Sequence, residues 1–265
     1  MTQIFKKDQL EIRVYPTRKG MGVSAANDVA VAIRILLLHK PALNMIFASA
    51  PSQNEFLDAL RMHTDIEWER INAFHMDEYV GLPAEAPQAF GNFLKKKIFD
   101  GLPFGAVHYL NGNHPDLKEE CRRYTALLRQ YPADLVCMGI GENGHIAFND
   151  PHVASFEDSE SVKAVDLDER CRMQQVHDGC FASLEEVPTH ALTLTVPALM
   201  SASRLFCMVP GKTKAWALYH TVTDSVSENI PATSLRRHKH AVIYADADSA
   251  YMLADPSPVS ADSFR

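Results

Sequence analysis

The chain has 265 residues, of which 46% are apolar, and it carries a formal net charge of −7 with a pI near 5.9. This length is enough to bury a sizeable core, as one large α/β domain or as two small ones. The acidic balance excludes a general affinity for nucleic acid, so an anionic ligand would need a local cluster of donors.

The cysteines and the apolar stretches indicate a cytoplasmic protein. The five cysteines are odd in number and include no Cys-x-x-Cys pair, as expected for reduced thiols. No apolar stretch is expected to reach transmembrane length, since the longest, residues 29–38, is interrupted by Arg34. Residues 1–7 lack the apolar core of a signal peptide. We therefore expect no membrane partner.

Strands and helices are predicted to alternate along the chain. Apolar residues recur at helical spacing over residues 22–38, whereas residues 191–196 form a short β-rich run. The stretch 166–190 is polar and mixed, which fits a lid or a helical excursion. The predicted strands are 10–16, 44–48, 68–76, 107–110, 135–140, 162–165, 191–196, 204–209 and 241–244, and the predicted helices are 22–38, 54–62, 87–99, 116–131 and 215–221.

This alternation predicts an α/β fold, a doubly wound and mostly parallel sheet flanked by helices. The sequence contains no internal repeat, no low-complexity tract and no Gly/Ser linker. We therefore expect a single domain over residues 1–265.

The stretch from residue 134 to residue 151 is the first candidate for a site. An apolar run predicts a buried strand, which breaks into three closely spaced glycines and is followed by His145, Asn149 and Asp150. In an open α/β sheet the ligand lies outside the carboxyl ends of the strands. A strand that ends in a glycine turn with an imidazole and a carboxylate is therefore a candidate active site.

Two short segments resemble nucleotide-binding motifs, but the residues around them do not fit those motifs. Residues 139–144 match Gly-x-Gly-x-x-Gly, but the dinucleotide fingerprint needs a helix after the third glycine, and Pro151 stops the chain too soon. Residues 210–213 resemble the end of a P-loop, but the position five residues before Gly211 is Phe206 instead of glycine. We expect neither a nicotinamide cofactor nor a nucleoside triphosphate.

Two other segments are candidates for binding an anion. Ser49, Ala50 and Ser52 lie between a predicted strand and a predicted helix, and Lys214 lies just before another helix. A helix start with free N–H groups and hydroxyls can bind a phosphate monoester. The simpler interpretations are a helix N-cap for the serines and a solvated surface lysine.

Asp77 and His145 are the candidates for acid–base chemistry. Asp77 and Glu78 are adjacent at a strand end, so only one carboxylate can readily enter a given cleft. A buried carboxylate with a raised pKa can act as a general base, although a solvated loop carboxylate would look the same. His145 beside Asp150 lacks the partners of a metal site, so we expect an acid–base histidine or a histidine that only bonds its own loop.

Two segments together resemble the signature motifs of glucosamine-6-phosphate deaminases. These are residues 74–82, FHMDEYVGL, and residues 139–151, GIGENGHIAFNDP. Residues 110–113, 187–194 and 211–215 follow in the order and spacing of that family, so the resemblance covers nearly the whole chain. It implies the Rossmann-like fold shared with 6-phosphogluconolactonases, a sugar phosphate as substrate and no redox cofactor.

The resemblance also implies roles for individual residues. Asp77 matches the base that removes the C2 proton, and His145 matches the acid–base group that opens the sugar ring. Asn143 and Asp150 match the residues that orient and tune this imidazole. The phosphate would be bound by the segment Ser49–Ser52 and by Lys214. From the same loops, the residues expected to line the substrate site are Gly139, Gly141 and Ala147.

Three departures from the family pattern concern the same region. Asn143 stands where some members have aspartate, and Asp150 stands where glutamate is usual. The family's phosphate-binding arginine has no counterpart in residues 177–181, HDGCF, so Arg170 and Arg172 are the candidates to replace it.

Two alternatives stay open. One is a 6-phosphogluconolactonase-type hydrolase, which needs His145 but no carbon base, although such lactonases tend to have arginine at the position of Tyr79. The other, motivated by the three departures, is a catalytically silent sugar-phosphate-binding regulator. The sequence also leaves open the sugar epimer and the oligomeric state, for which a homo-oligomer is one option.

Overall fold

The computed structural model of the chain describes residues 2–254, which form an eight-stranded sheet and a separate three-stranded sheet. The strands are β1 (Gln3–Lys7), β2 (Leu10–Tyr15), β3 (Leu43–Phe47), β4 (Ile71–His75), β5 (Asp77–Tyr79), β6 (Ala106–His108), β7 (Leu135–Met138), β8 (Val162–Asp166), β9 (His190–Leu194), β10 (Arg204–Val209) and β11 (Ala241–Asp246).

The α-helices are α1 (Arg18–Leu37), α2 (Asn54–Leu60), α3 (Phe90–Leu94), α4 (Leu117–Gln130), α5 (Glu169–His177), α6 (Val196–Met200), α7 (Ala215–Thr223) and α8 (Tyr251–Ala254). Helix α3 continues as a π-helical turn, Lys95–Phe99. Short 3-10 helices occupy Pro51–Gln53, Trp68–Arg70, Leu184–Glu186, Lys212–Lys214 and Pro231–Arg237.

The strand order of the large sheet is β1-β2-β11-β10-β7-β3-β4-β6, and all its pairings are parallel except β1 with β2. From β3 the chain adds β4 and β6 on one side, then returns to place β7 and β10 on the other. The order therefore reverses between β3 and β7. In such sheets ligands bind in the crevice at this reversal, beyond the carboxyl ends of the strands. The predicted doubly wound, mostly parallel sheet is confirmed.

Helices cover both faces of the large sheet because its buried strands are apolar on both sides. Met45 and Phe47 of β3 pack in the core formed with α1 and α2, whereas Ile46 faces the core formed with α4 and α7. Neighbouring residues of a strand point to opposite faces, and a parallel sheet buried on both faces has near-continuous apolar strands.

Helix α1 is long and apolar enough to cross a membrane by length and composition alone, so the expectation that no stretch reaches this length is wrong. A core helix of a soluble fold passes the same criterion, and half of the apolar window is buried against the rest of the chain. Its buried residues include Met21, Val29 and Ile33, which pack with β3 and α2.

The small sheet forms a cover beside the carboxyl end of the large one. Its order is β5-β9-β8, with antiparallel pairings, and β5 follows β4 after a single residue. Tyr79, Phe90, Phe148 and Phe181 pack beneath it as an aromatic cluster. This arrangement fixes Asp77, the first residue of β5, at the end of the large sheet.

Sequence patterns missed some elements and shifted the bounds of others. Strand β1 is an edge strand with mostly exposed residues, so it shows little apolar signal. The predicted strand 191–196 ends at Leu194, because Thr195 caps the N–H of Ala198 at the start of α6. The turn Pro231–Arg237 was also missed. Within the mixed stretch 166–190 the structure contains α5, so the helical excursion is confirmed.

Candidate active site

The glycine turn after β7 makes room for the His145 ring. A Cβ on Gly141 would lie 2.2 Å from Cε1 of His145, so only glycine is compatible with this ring position. The Gly141 N–H donates to the His145 carbonyl at 2.9 Å, and Gly144 has a positive φ of 83°. Ala147 has a φ of 50°, which holds the following loop in a conformation that L-residues seldom adopt. The glycines therefore seat an imidazole, in agreement with the rejection of a dinucleotide site.

Asn143 and Asp150 surround the imidazole of His145. His145 Nδ1 lies 2.9 Å from Asp150 Oδ1, within ion-pair range but without the alignment of a hydrogen bond. The Asn143 side chain donates to Asp150 Oδ1 at 2.9 Å and accepts the His145 N–H at 3.0 Å. The shorter aspartate thus still reaches the ring. Burial favours a raised pKa for Asp150, but His145, Asn143 and the Cys171 thiol together lower its pKa.

Asp77 presents a buried carboxylate to the same region. The residue is 7% exposed, and its Oδ1 has no hydrogen-bond partner within residues 2–254. Burial raises the pKa of Asp77 well above its ordinary value, and the charge of Glu78 raises it further. Glu78 points away, and its carboxylate accepts the N–H groups of Tyr79, Phe90 and Gly91. One carboxylate of the pair enters the cleft, as predicted.

His75 holds the backbone at Asp77 and was not identified from the sequence. Its Nε2 accepts the Leu110 N–H at 2.9 Å, so Nδ1 carries the proton and donates to the Asp77 carbonyl at 2.9 Å. Burial lowers the pKa of His75 to about 4, which keeps the ring neutral. A histidine at the end of an otherwise apolar strand was the only signal in the sequence.

A buried lysine and a buried serine follow the ends of β10 and β3. Lys214, in the 3-10 turn after β10, is only 4% exposed and forms no ion pair within the described part of the chain. Burial lowers the pKa of its ammonium group. The Ser49 hydroxyl, after β3, is also buried and without a partner there. A buried cation beside a free hydroxyl favours an anionic ligand.

These groups line one cavity at the reversal of the strand order. Its wall also includes the apolar side chains of Met76, Ile140 and Phe148. Of the residues predicted to bind or react with substrate, it contains Ser49, Ala50, Ser52, Asp77, Gly139, Gly141, His145, Ala147 and Lys214. Asn143 and Asp150 do not line the cavity but contact His145, Asp150 at the ring and Asn143 at the backbone N–H.

Helix α5 contributes two glutamines that the sequence did not reveal. Gln174 and Gln175 are buried and line the cavity. The Gln174 side chain accepts the Glu142 N–H at 2.8 Å and so ties the helix to the glycine turn. The Gln175 side chain lines the same cavity and makes no hydrogen bond to any described residue. The polar composition of 166–190 was the only signal for them.

Arg170 and Arg172 do not reach the cavity. The guanidinium of Arg170 lies 5.6 Å from the centre of the Trp216 ring, on an outer face of α5. Arg172 donates to the carbonyls of Leu184 and Val187 and joins α5 to the segment before β9. Neither position supports the prediction that one of these arginines replaces the missing phosphate ligand.

Two groups of metal-ligating side chains share Asp150. His145, Asp150 and Cys171 form one group, and Asp150, His152 and Asp168 form the other. In each group one ligand atom per residue lies within 4.8 Å of the others. The first group is buried throughout, whereas His152 in the second is exposed. The sequence did not predict either group, because Cys171 and Asp168 belong to α5 and meet Asp150 only through packing.

A family model described as glucosamine-6-phosphate isomerases/6-phosphogluconolactonase matches residues 16–244. The chain belongs to this family. The resemblance found in the two signature motifs is therefore confirmed.

Named relatives agree with this family. The glucosamine-6-phosphate deaminase of Bacillus cereus (strain B4264) is 34% identical over 215 residues, which cover 81% of this chain and 79% of the relative. The Bacillus cytotoxicus enzyme of the same name is 35% identical over 220 residues, with the same coverage.

Solved structures support the same fold. A monomeric glucosamine-6-phosphate deaminase superposes with a TM-score of 0.84 at 27% identity and covers 91% of this chain and 99% of its own. The 6-phosphogluconolactonase of Thermotoga maritima has a TM-score of 0.72 at 20% identity, with 89% of this chain and 98% of its own covered. At that identity the likeness of the lactonase concerns the fold alone.

Proposed function

We propose that this family member is a hexosamine-6-phosphate isomerising deaminase, which converts glucosamine 6-phosphate and water into fructose 6-phosphate and ammonia. The observation that carries the proposal is the shared cavity of Asp77, His145 and Lys214, which brings a base, an acid–base imidazole and a buried cation together. The names of the Bacillus relatives support the same substrate class.

Ring opening is the step assigned to His145. The cyclic sugar has no acidic C–H bond until the ring opens and C1 becomes an aldehyde. The imidazole takes the proton of the anomeric hydroxyl and returns a proton to the ring oxygen. Asp150, whose carboxylate is kept ionised, stabilises the imidazolium that forms between the two transfers, and Asn143 holds both groups in place.

Enolisation is the step assigned to Asp77. Its carboxylate removes the proton from C2, which is acidified by the C1 aldehyde, and a cis-enolamine forms. The same carboxyl group returns the proton to C1, which leaves an imine at C2. Water adds to this imine and expels ammonia, which gives the ketose without any change in oxidation state. The raised pKa of Asp77 makes its carboxylate a stronger base than a solvated one.

Phosphate binding is assigned to Lys214 together with the segment after β3. Lys214 supplies the charge, and the hydroxyls of Ser49 and Ser52 supply hydrogen bonds. Because no arginine of residues 2–254 lines the cavity, the Gln175 amide is the group we assign to the position left by the missing family arginine. An amide offers directional hydrogen bonds but no charge, so Lys214 carries the electrostatic part alone.

Two assays on one preparation test the proposal. Ammonia release from glucosamine 6-phosphate and galactosamine 6-phosphate is measured beside hydrolysis of 6-phosphogluconolactone. We expect ammonia release that falls about 10²–10⁴-fold in Asp77→Asn, the range for loss of a general base. Lactone hydrolysis without ammonia release would instead establish the hydrolase alternative. Sugar-phosphate binding seen as a thermal shift, without turnover of either substrate, would establish the silent regulator.

A further inference from the structure

The thiol of Cys171 lies beneath the catalytic imidazole and has no part in the proposed reaction. Cys171 is 1% exposed and sits in the first turn of α5, where its N–H donates to Asp168 Oδ1 at 2.6 Å. A sulfur, an imidazole nitrogen and a carboxylate oxygen therefore converge within 4.8 Å of one another. This is the mixed donor set that zinc binds in proteins.

Two polar atoms of this group are left without hydrogen bonds. Asp150 is fully buried, and its Oδ2 has no partner among residues 2–254. His145 Nδ1 approaches Asp150 Oδ1 but makes no aligned hydrogen bond. A buried carboxylate oxygen without a partner destabilises the folded chain. A cation placed between these groups would satisfy both atoms.

The surroundings hold the donors as a metal site requires. Asn143 donates to Asp150 Oδ1 at 2.9 Å, and Asp168 fixes the start of α5 under Cys171. Such outer hydrogen bonds orient metal ligands and are worth about 10–100-fold in affinity. His145 lines the cavity whereas Asp150 and Cys171 do not, so the ion would bind behind the imidazole instead of in the substrate space.

We propose that a divalent cation of the zinc class binds reversibly to His145 Nδ1, Asp150 and the Cys171 thiolate. Binding releases one proton, which leaves the thiol for solvent as the sulfur–metal bond forms, and no electron is transferred. The metal occupies the Nδ1 lone pair and leaves the ring proton on Nε2, so the imidazole can no longer accept a proton from the sugar. Zinc is therefore an inhibitor of ring opening; this part of the inference rests on the proposed function, and the binding itself does not.

The binding test uses the full chain, freed of metal with a chelator and titrated with Zn²⁺ by calorimetry and with Co²⁺ by absorbance. We expect one ion per chain and a thiolate-to-cobalt charge-transfer band. In Cys171→Ser the band should vanish and Zn²⁺ affinity should fall at least about 100-fold. Cys121→Ser, which changes a half-buried thiol of α4, is the matched control and should bind as the wild type does.

Several results overturn the proposal. The proposal is overturned if the wild-type chain does not bind Zn²⁺ or shows no cobalt band. This result stands whatever the variants show, even if Cys171→Ser does not fold. A band that survives Cys171→Ser, or affinity lost in His152→Ala instead, assigns the ion to other ligands. If zinc inhibits ring opening, Zn²⁺ should stop ammonia release and a chelator should restore it. A turnover rate that does not change when Zn²⁺ is bound contradicts the inhibitory role. A zinc-binding wild type without any ammonia release sinks the proposed function and leaves the metal site standing.

Discussion

The neutral, buried His75 should make the folded state sensitive to acid. Its Nδ1–H donates to the Asp77 carbonyl and its Nε2 accepts the Leu110 N–H, so neither nitrogen can take a further proton without breaking a bond. Burial lowers the pKa of this ring from 6.5 to about 4. The unfolded chain therefore accepts a proton in a pH range in which the folded chain does not.

The size of the effect follows from the displaced pKa. Each unit is worth about 1.4 kcal/mol, so a fall from 6.5 to about 4 amounts to about 3 kcal/mol. A histidine with a lowered folded pKa gives its full stabilisation above the unfolded pKa and loses it as the pH falls. The free energy of unfolding should therefore drop by about 3 kcal/mol between pH 6.5 and pH 4 because of this residue.

Urea unfolding of the wild type and of His75→Asn over pH 4–7.5 measures this contribution. At neutral pH the variant should be less stable, because the Leu110 N–H loses its acceptor. The difference in the free energy of unfolding between the wild type and the variant should shrink by about 3 kcal/mol toward pH 4, since the variant has no ring to protonate. His39→Asn, at an exposed histidine, is the matched control. A gap between wild type and His75→Asn that stays constant with pH would refute the reasoning.

Three further predictions concern the cavity. In Gly141→Ala the new Cβ meets the His145 ring at 2.2 Å, so kcat/KM for ammonia release should fall at least about 100-fold; wild-type kinetics would contradict the ring position. Lys214→Met should raise KM for the sugar phosphate at least about tenfold. It should also raise the melting temperature, because a buried ammonium group is removed. An unchanged KM would argue against phosphate binding by Lys214. Asp77→Asn should raise the free energy of unfolding at pH 8 but not at pH 3, because a raised pKa in the folded state costs stability as the pH rises. If the variant and the wild type were equally stable at both pH values, Asp77 would not be buried as a charge.

The parts of the site that lie on strand ends were predictable from the sequence. Asp77 and His145 follow segments that the sequence predicts to be strands, and parallel strands bring their carboxyl ends to one edge. The glycine pattern around Gly141 was misleading by itself, since it also fits a dinucleotide turn. Pro151 removed that interpretation, and the position of the His145 ring against Gly141 explains why the glycine is needed.

The contribution of α5 was not predictable from its sequence. Its apolar pattern is weak, and Gln174, Gln175 and Cys171 are buried only because the helix packs over the glycine turn and the aromatic cluster. The same packing turns Arg172 toward backbone carbonyls instead of the cavity. Which side of a polar helix faces a ligand depends on such long-range contacts, and residue spacing does not encode them. His75 was missed for a similar reason, since its two partners come from separate segments.

The removal of the C2 proton by Asp77 is the central claim, and solvent isotope exchange tests it most directly. Glucosamine 6-phosphate is incubated in D₂O, and deuterium at C2 of recovered substrate and at C1 of the ketose is measured by NMR. The account predicts that the hydrogen at C1 of the ketose comes from the Asp77 carboxyl group, either as the former C2 hydrogen or as deuterium that the carboxyl has exchanged with solvent. It also predicts that Asp77→Asn forms this ketose at least about 100-fold more slowly while retaining its fold. Ketose formation and ammonia release that are undiminished in Asp77→Asn would contradict it.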